Sequence, residues 1–285
     1  MSERITFTKM HGCGNDYIYI DCFDGLPSDP ADIAVRMSKR HFSVGADGIV
    51  LICQSEKADA FMRMFNADGS EGKMCGNAIR CVGKYLYDKA IVEKDELKIE
   101  TLSGIKNLKM HIDNGKAFSA TVDMGISSLR PSDIPVLSDK QLIEHPITVS
   151  GRDYNITAVS MGNPHAVTFV DEVSSIPLEK IGPYFEHLSI FPERVNTEFV
   201  RVIDRKTLEM RVWERGSGET YACGTGACAT VVAACVTGRC DFGTEVTVKL
   251  VGGDLIIKCE NDFRVYMTGS AEKVYEGIYN YENKA

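Results

Sequence analysis

The sequence predicts an α+β protein built as two similar halves, each with many strands wrapped around one helix. Three observations carry this. Cys75-Gly76-Asn77-Ala78 and Cys223-Gly224-Thr225-Gly226-Ala227 both put a cysteine where a Gly-rich loop becomes a helical pattern, 148 residues apart. The same offset sets Gly14-Asn15 against Gly162-Asn163, Asn66 against Glu214, and Glu71 against Glu219. The matches fall at polar and glycine positions rather than in apolar filler. Finally, the helical run Ala227 to Thr237 is small and apolar on every side, which calls for burial all round, as inside a curved sheet. Strands outnumber helices, so a doubly wound parallel sheet is not expected.

The first half opens with a strand, Ile5 to Met10, a polar loop His11-Gly12-Cys13-Gly14-Asn15-Asp16, and a second strand, Tyr17 to Asp21. The loop is no dinucleotide fingerprint, because Tyr17 stands where the third glycine belongs. Asp29-Pro30 starts an amphipathic helix to about Arg40. Ile49 to Cys53 is an apolar strand, and Phe61 to Phe65 alternates as another. The turn Asn66 to Gly72 leads to Cys75 and a helix with Ile79, Val82 and Leu86 on one stripe. Leu97 to Thr101, Ile105 to Ile112 and Ala117 to Asp123 follow as strands, the last two joined by the hairpin turn Asp113-Asn114-Gly115. Pro131, Pro135 and Pro146 mark 126–146 as a connector between a half at 1–125 and a half at 147–270.

The second half repeats the order. Strands are expected at Tyr154 to Val159, Ala166 to Val170, Asn196 to Ile203 and Leu208 to Glu214, with a helix from Leu178 to His187. The Cys223 helix stops at Gly238, and three more strands precede a polar tail.

Composition narrows the function. Of 285 residues, 44% are hydrophobic and 25% charged, as in a soluble globular protein. A net charge of −8 and a pI near 5.4 argue against nucleic acid or anionic membrane as partner. No apolar run approaches the roughly 20 residues of a membrane span. The start Met1-Ser2-Glu3-Arg4 does not read as an export signal, so the ten cysteines are expected as thiols in a cytoplasm. There is no C-x-x-C pair and the six histidines are scattered, so no metal site is expected; His11 and Cys13 alone are a weak signal.

The chemistry centres on Cys75 and Cys223. A helix N-terminus favours a thiolate and binds anions, so one thiol can act as base while the other remains an acid. Two such groups on opposite faces of one carbon would invert a stereocentre. The backbone N–H groups of Gly76, Asn77, Gly224 and Thr225 are candidates for holding a substrate carboxylate. Asn15 is either a turn former or a ligand for substrate. Glu214-Arg215 is either a surface pair or a grip on an amino group and a carboxylate. The other cysteines (Cys22, Cys53, Cys81, Cys228, Cys235, Cys240, Cys259) lie in apolar segments and read as core. No pyridoxal-binding lysine context is visible, so no cofactor is expected.

At this point the residues carry a family resemblance. His11-Gly12-Cys13-Gly14-Asn15-Asp16-Tyr17, Phe65-Asn66-Ala67-Asp68-Gly69-Ser70, Met74 to Arg80, Gly162-Asn163-Pro164-His165, Val195-Asn196-Thr197-Glu198 and Trp213 to Gly226 together resemble diaminopimelate epimerase. The resemblance implies a pyridoxal-independent isomerase that converts LL-2,6-diaminopimelate to the meso form, for lysine and peptidoglycan precursors. It implies two pseudo-symmetric domains, each a barrel-like, mainly antiparallel sheet around a central helix, with C-terminal strands at 271–285 returning to the first. By motif, Cys75 and Cys223 match the acid/base pair. Asn15, Asn66, Asn163, Asn196, Glu214 and Arg215 match substrate-binding positions, Gly76-Asn77 and Gly224-Thr225 match the anion sites, and His165 and Glu214 match residues that tune the thiols. Expected partners are the small substrate and a second copy of the chain, as a homodimer. One departure appears at Gly48, where many family members carry Gln.

Three other readings compete. Racemisation of histidine or isomerisation of another small acid would use the same mechanism. A thiol-redox protein is disfavoured by the missing C-x-x-C. A silent amino-acid-binding module would not need two helix-start cysteines.

Overall fold

The computed structural model describes residues 2–282. In chain order the elements are β1 (Ser2–Gly12), β2 (Asn15–Cys22), α1 (Pro30–Met37), β3 (Gly48–Cys53), β4 (Ala60–Asn66), β5 (Glu71–Gly72), α2 (Gly76–Asp88), β6 (Glu96–Thr101), β7 (Gly104–Asp113) and β8 (Lys116–Ile126). A 3-10 turn at Pro131–Asp133 leads to β9 (His145–Val149), β10 (Arg152–Ser160), β11 (Pro164–Phe169), α3 (Leu178–Glu186), β12 (Asn196–Asp204), β13 (Thr207–Glu214), β14 (Gly218–Thr220) and α4 (Gly224–Val236). Then come β15 (Glu245–Leu250), β16 (Gly253–Cys259), β17 (Arg264–Ser270) and β18 (Glu272–Glu282). These elements form two compact units: Asp123–Thr268, and a first unit made of the described residues on either side of it.

In the first unit the strands lie in the order β18-β1-β2-β3-β4-β6-β7-β8, with β5 beside β4. The second runs β9-β10-β11-β12-β13-β15-β16-β17, with β14 beside β13. Element for element the two orders are the same. Among the pairings in these two orders, only β2–β3 and β4–β6, and their counterparts β11–β12 and β13–β15, are parallel. A parallel pair needs a long crossover, and these four crossovers carry the four helices. Each unit is therefore a mainly antiparallel sheet with one helix on either side.

Local sequence explains the elements. Asp29 caps α1 by accepting from Asp32 N at 3.1 Å, with Pro30 in the first turn. The helix ends at Met37, a few residues before the expected Arg40. Strand β3 is buried at all six positions, so it reads as one apolar run rather than an alternation. One face packs on α1 through Ile33, Ala34 and Met37. Helix α4 is buried at every residue from Gly226 to Cys235, as its small apolar composition requires.

Two segments differ from expectation. The stretch 126–146 is not a loose connector: Ile134, Val136 and Leu142 are core residues of the second unit, packed with Phe185 and Phe199. Pro131 opens its 3-10 turn, while Pro146 lies in β9. The polar tail after the third late strand is instead an 11-residue strand, β18, antiparallel to β1. Its polar content suits an edge strand exposed along most of its length. Of the expected return at 271–285, residues 283–285 lie outside the described residues. No helix among the described residues is long and apolar enough to cross a membrane.

Candidate active site

In the first unit, Cys75 is the N-cap of α2, with extended backbone (φ −133°, ψ 122°). It is half-buried, and its Sγ lies 3.3 Å from Asn15 Oδ1. Asn15 follows the tight turn between β1 and β2, where Cys13 and Gly14 both take positive φ. Asn77, one residue into α2, donates from Nδ2 to the same Asn15 oxygen at 3.4 Å. So Cys75, Asn15 and Asn77 form one cluster at the mouth of a helix, where backbone N–H groups point outward and favour an anion. Asn66 is not in this hydrogen-bonded cluster: its amide donates to Ser70 Oγ at 2.9 Å, within its own turn.

Gly48 pairs with Asn66 across β3–β4. A Cβ there would lie 2.1 Å from the Phe65 carbonyl oxygen and 2.9 Å from the Tyr17 ring. This backbone leaves no room for a glutamine, so the contact that side chain would make is absent. At the 148-residue offset Gly48 corresponds to Asn196, which does carry an amide. Asn196 Nδ2 donates to Pro164 O at 3.2 Å, and its Oδ1 accepts from Arg215 N at 2.8 Å. Asn196 thereby braces the backbone on either side of the site, while the Arg215 guanidinium turns to Glu193 O at 2.8 Å.

In the second unit, Cys223 caps α4 from the equivalent position, but buried. Its Sγ accepts from Gly226 N at 3.3 Å and lies 3.5 Å from Thr225 Oγ1. Asn163, the counterpart of Asn15, donates to Thr225 Oγ1 at 3.3 Å and contacts His165 Nε2 through Oδ1 at 3.0 Å. Glu214 accepts from the Thr220 hydroxyl and interacts with Cys223. Burial pushes the Cys223 thiol well above its ordinary range, and the charges of Glu214 and Glu198 push it further. The Thr225 and Gly226 hydrogen bonds only partly offset this. Burial likewise raises Glu214, against the bonds from Thr220 and Cys223.

Glu198 was missed as a site residue in the sequence. It is fully buried and lies 2.7 Å from His165 Nδ1. A Cβ at position 226 would come 2.7 Å from Glu198 Oε1 and 3.2 Å from Cys223 Sγ, so only glycine fits between them. The signal was a carboxylate inside the apolar strand Thr197-Glu198-Phe199-Val200, where an unpaired charge is rarely tolerated.

The two half-sites therefore share a frame and differ in charge. At the 148-residue offset, Tyr17, Val50, Asn66 and Arg80 of the first unit become His165, Glu198, Glu214 and Cys228. Glu214→Gln is expected to ease ionisation of Cys223, because a charge opposing the thiolate is gone. The difference should be absent at acid pH, where Glu214 is protonated, and should open as pH rises through its raised titration. Mass-mapped iodoacetamide alkylation of Cys223 against pH measures this; coincident profiles for variant and wild type would refute it.

Comparison with known proteins agrees with this architecture. A sequence profile described as diaminopimelate epimerase matches residues 7–129 and 157–274. The diaminopimelate epimerase of Acetivibrio thermocellus is 56% identical over 273 residues, covering 95% of this chain and 97% of that protein. That of Methanococcus maripaludis strain C5 is 55% identical, covering 95% and 98%. Among solved structures, a PhzF-family phenazine biosynthesis protein of Bacillus anthracis superposes with a TM-score of 0.72 at 19% identity, covering 97% of this chain and 99% of the other. A hydroxyproline epimerase from Agrobacterium vitis gives 0.72 at 15% identity, covering 99% and 94%. The distant structures show the shared fold; the two epimerases and the profile, spanning both cysteine half-sites, show that this chain belongs to the diaminopimelate epimerase family.

Proposed function

We infer that the protein interconverts LL- and meso-2,6-diaminopimelate without pyridoxal, using Cys75 and Cys223 as a two-thiol acid/base pair. The observation that carries this reading is a duplicated frame with a cysteine at each central helix start, in a chain more than half identical to named epimerases. Cys75 takes the α-proton from one face and Cys223 gives a proton to the other; in the reverse direction the roles exchange. Burial and two carboxylates favour Cys223 as the thiol, which suits the donor role. The helix starts at Gly76-Asn77 and Gly224-Thr225 bind the substrate carboxylate, and dry surroundings strengthen the stabilisation of charge that moves onto it. Asn15 and Asn163 hold the reacting end. Asn66, Asn196, Glu214 and Arg215 recognise the distal amino-acid end, while His165 and Glu214 tune the Cys223 thiol.

The test is purified protein with LL-diaminopimelate and no added cofactor, followed by chiral chromatography. Meso product should form. Lysine lacks the distal carboxylate and leaves buried polar groups unpaired, so its turnover should be at least about a thousandfold less efficient. Comparable rates for both would refute the substrate assignment. Solvent-hydrogen exchange at the α-carbon separates this reading from a thiol-redox protein and from a silent binding module.

The reading places the enzyme in the cytoplasm, feeding lysine and peptidoglycan precursors, and working as a homodimer. For the dimer, the support is the exposed edge strand β18, which carries Val274, Tyr275 and Ile278 at 55%, 43% and 50% exposure. A monomer by sedimentation at micromolar concentration would exclude it.

A further inference from the structure

The geometry points to Asp47 and Arg80 as positioning residues for Cys75. By fixing the directions of two amides, they keep a carbonyl oxygen on the sulphur, so that the proton Cys75 removes has an acceptor waiting. This rests on the proposed role of Cys75 as proton acceptor.

The argument turns on groups whose hydrogen-bonding sense is not in question. A carboxylate only accepts and a guanidinium only donates. Asp47 Oδ2 lies 2.7 Å from the Asn15 amide and also accepts from Asp16 N at 3.1 Å. The Asn15 group facing Asp47 must therefore be its NH2, and its Oδ1 must face the other way, towards Cys75 Sγ and Asn77 Nδ2. From the opposite end, Arg80 Nη2 donates to Asn77 Oδ1 at 3.1 Å, which turns the Asn77 NH2 towards Asn15. The two anchors agree. Reversing either amide would set donor against donor.

Both anchors are themselves built in. Arg40 Nη2 donates to Asp47 Oδ1 at 2.9 Å and also pairs with Asp16, which Lys9 holds in turn. Arg80 is fully buried; its Nη1 donates to Gly76 O and its Nε to Ser270 O, both at 3.1 Å. A Cβ at position 12 would lie 2.8 Å from Arg80 Nη2, so Gly12 makes room for the guanidinium. The arrangement is not duplicated: Asp47 and Arg80 correspond to Val195 and Cys228 in the second unit, where His165 and Thr225 hold Asn163 instead. The relay therefore belongs to one thiol. A carbonyl oxygen can receive a thiol proton but cannot donate to a thiolate, so it strengthens Cys75 as a base.

The test has two arms. In ligand-free protein at one fixed neutral pH, iodoacetamide alkylation is mapped to each cysteine by mass spectrometry. Asp47→Ala should speed alkylation of Cys75 by about fivefold, the worth of one hydrogen bond, and leave Cys223 unchanged. In an Asn15→Ala background the same change should add nothing, since Asp47 acts only through Asn15. Asp47→Leu, which keeps the bulk but offers Asn15 no acceptor, serves if Asp47→Ala does not fold. An unchanged Cys75 rate overturns the inference, and so does an effect of Asp47 that persists without Asn15. This arm needs no turnover, so it stands or falls apart from the proposed reaction. In the second arm, kcat for epimerisation should fall in Asp47→Ala with little change in KM. A rise in KM with kcat unchanged would place Asp47 in substrate binding and overturn the positioning role.

Discussion

Replacing either Cys75 or Cys223 with alanine is expected to abolish epimerisation in both directions, by more than the factor of about 10² to 10⁴ that one general acid or base usually contributes. The expectation is this large because in the proposed mechanism each thiol serves one face. Cys75 Sγ lies against the Asn15 amide, which cannot carry a proton back and forth at neutral pH. Beside Cys223 the Glu214 carboxyl is raised by burial, and in the proposed mechanism it tunes the sulphur rather than replacing it. In deuterated solvent, early product should carry deuterium at the inverted carbon while recovered substrate stays protiated. Label appearing equally in both, or one alanine variant remaining active, would mean a single base and would undo the two-thiol reading.

The second large effect is on stability. Gly182 lies in α3, where alanine would ordinarily improve a helix by about 1 kcal/mol. Here the added Cβ would stand 2.2 Å from Trp213 Cδ2 and 2.5 Å from Cγ and Cε3. The indole has nowhere to go. It is buried, and its Nε1 donates at 2.8 Å to Glu186 Oε2 on the same helix. Overpacking of this kind costs about 1–3 kcal/mol or more and should outweigh the helix gain. Gly182→Ala is thus expected to lower the denaturant midpoint clearly. It should also weaken activity, because Trp213 precedes Glu214-Arg215 and Glu186 Oε1 holds Gly216 N at 3.1 Å. A variant as stable as wild type would show that the helix can slide off the ring.

How much of this was legible in the sequence depended on how local the signal was. The helix starts at Cys75 and Cys223, and the burial of α4, followed from spacing and side-chain size alone. The continuous apolar runs that become β2 and β3 were legible as strands, though not as parallel neighbours, because pairing direction is decided by the crossover helix. Segment 126–146 was misleading because proline and serine signal turns equally well in a linker and in a packed loop. Only the core contacts of Ile134, Val136 and Leu142 tell the two apart. In the site, Asn15 and Asn163 were found because the repeat displays them. Glu198, Asp47 and Arg80 were not, because each has an unlike residue in the other half; Glu198 and Asp47 also meet partners remote in sequence, His165 and Asn15.

The pairing of β1 with β18 sets the order in which the chain can assemble. Ser2 stands in register with Glu282, so during synthesis β1 waits for the much later β18 before that sheet edge is covered. Asp123–Thr268 is continuous and meets no such delay. Nascent domains usually fold from the N-terminus onward; here the later segment completes itself while the earlier one still lacks a strand. The long closure between β1 and β18 is expected to be the slow step of folding. Pulsed hydrogen exchange during refolding should accordingly protect the amides of β10 to β13 before those of β1. Until that closure, the upper reach of β1 presents an open edge, and a chaperone or a second nascent copy would find the protein most vulnerable there.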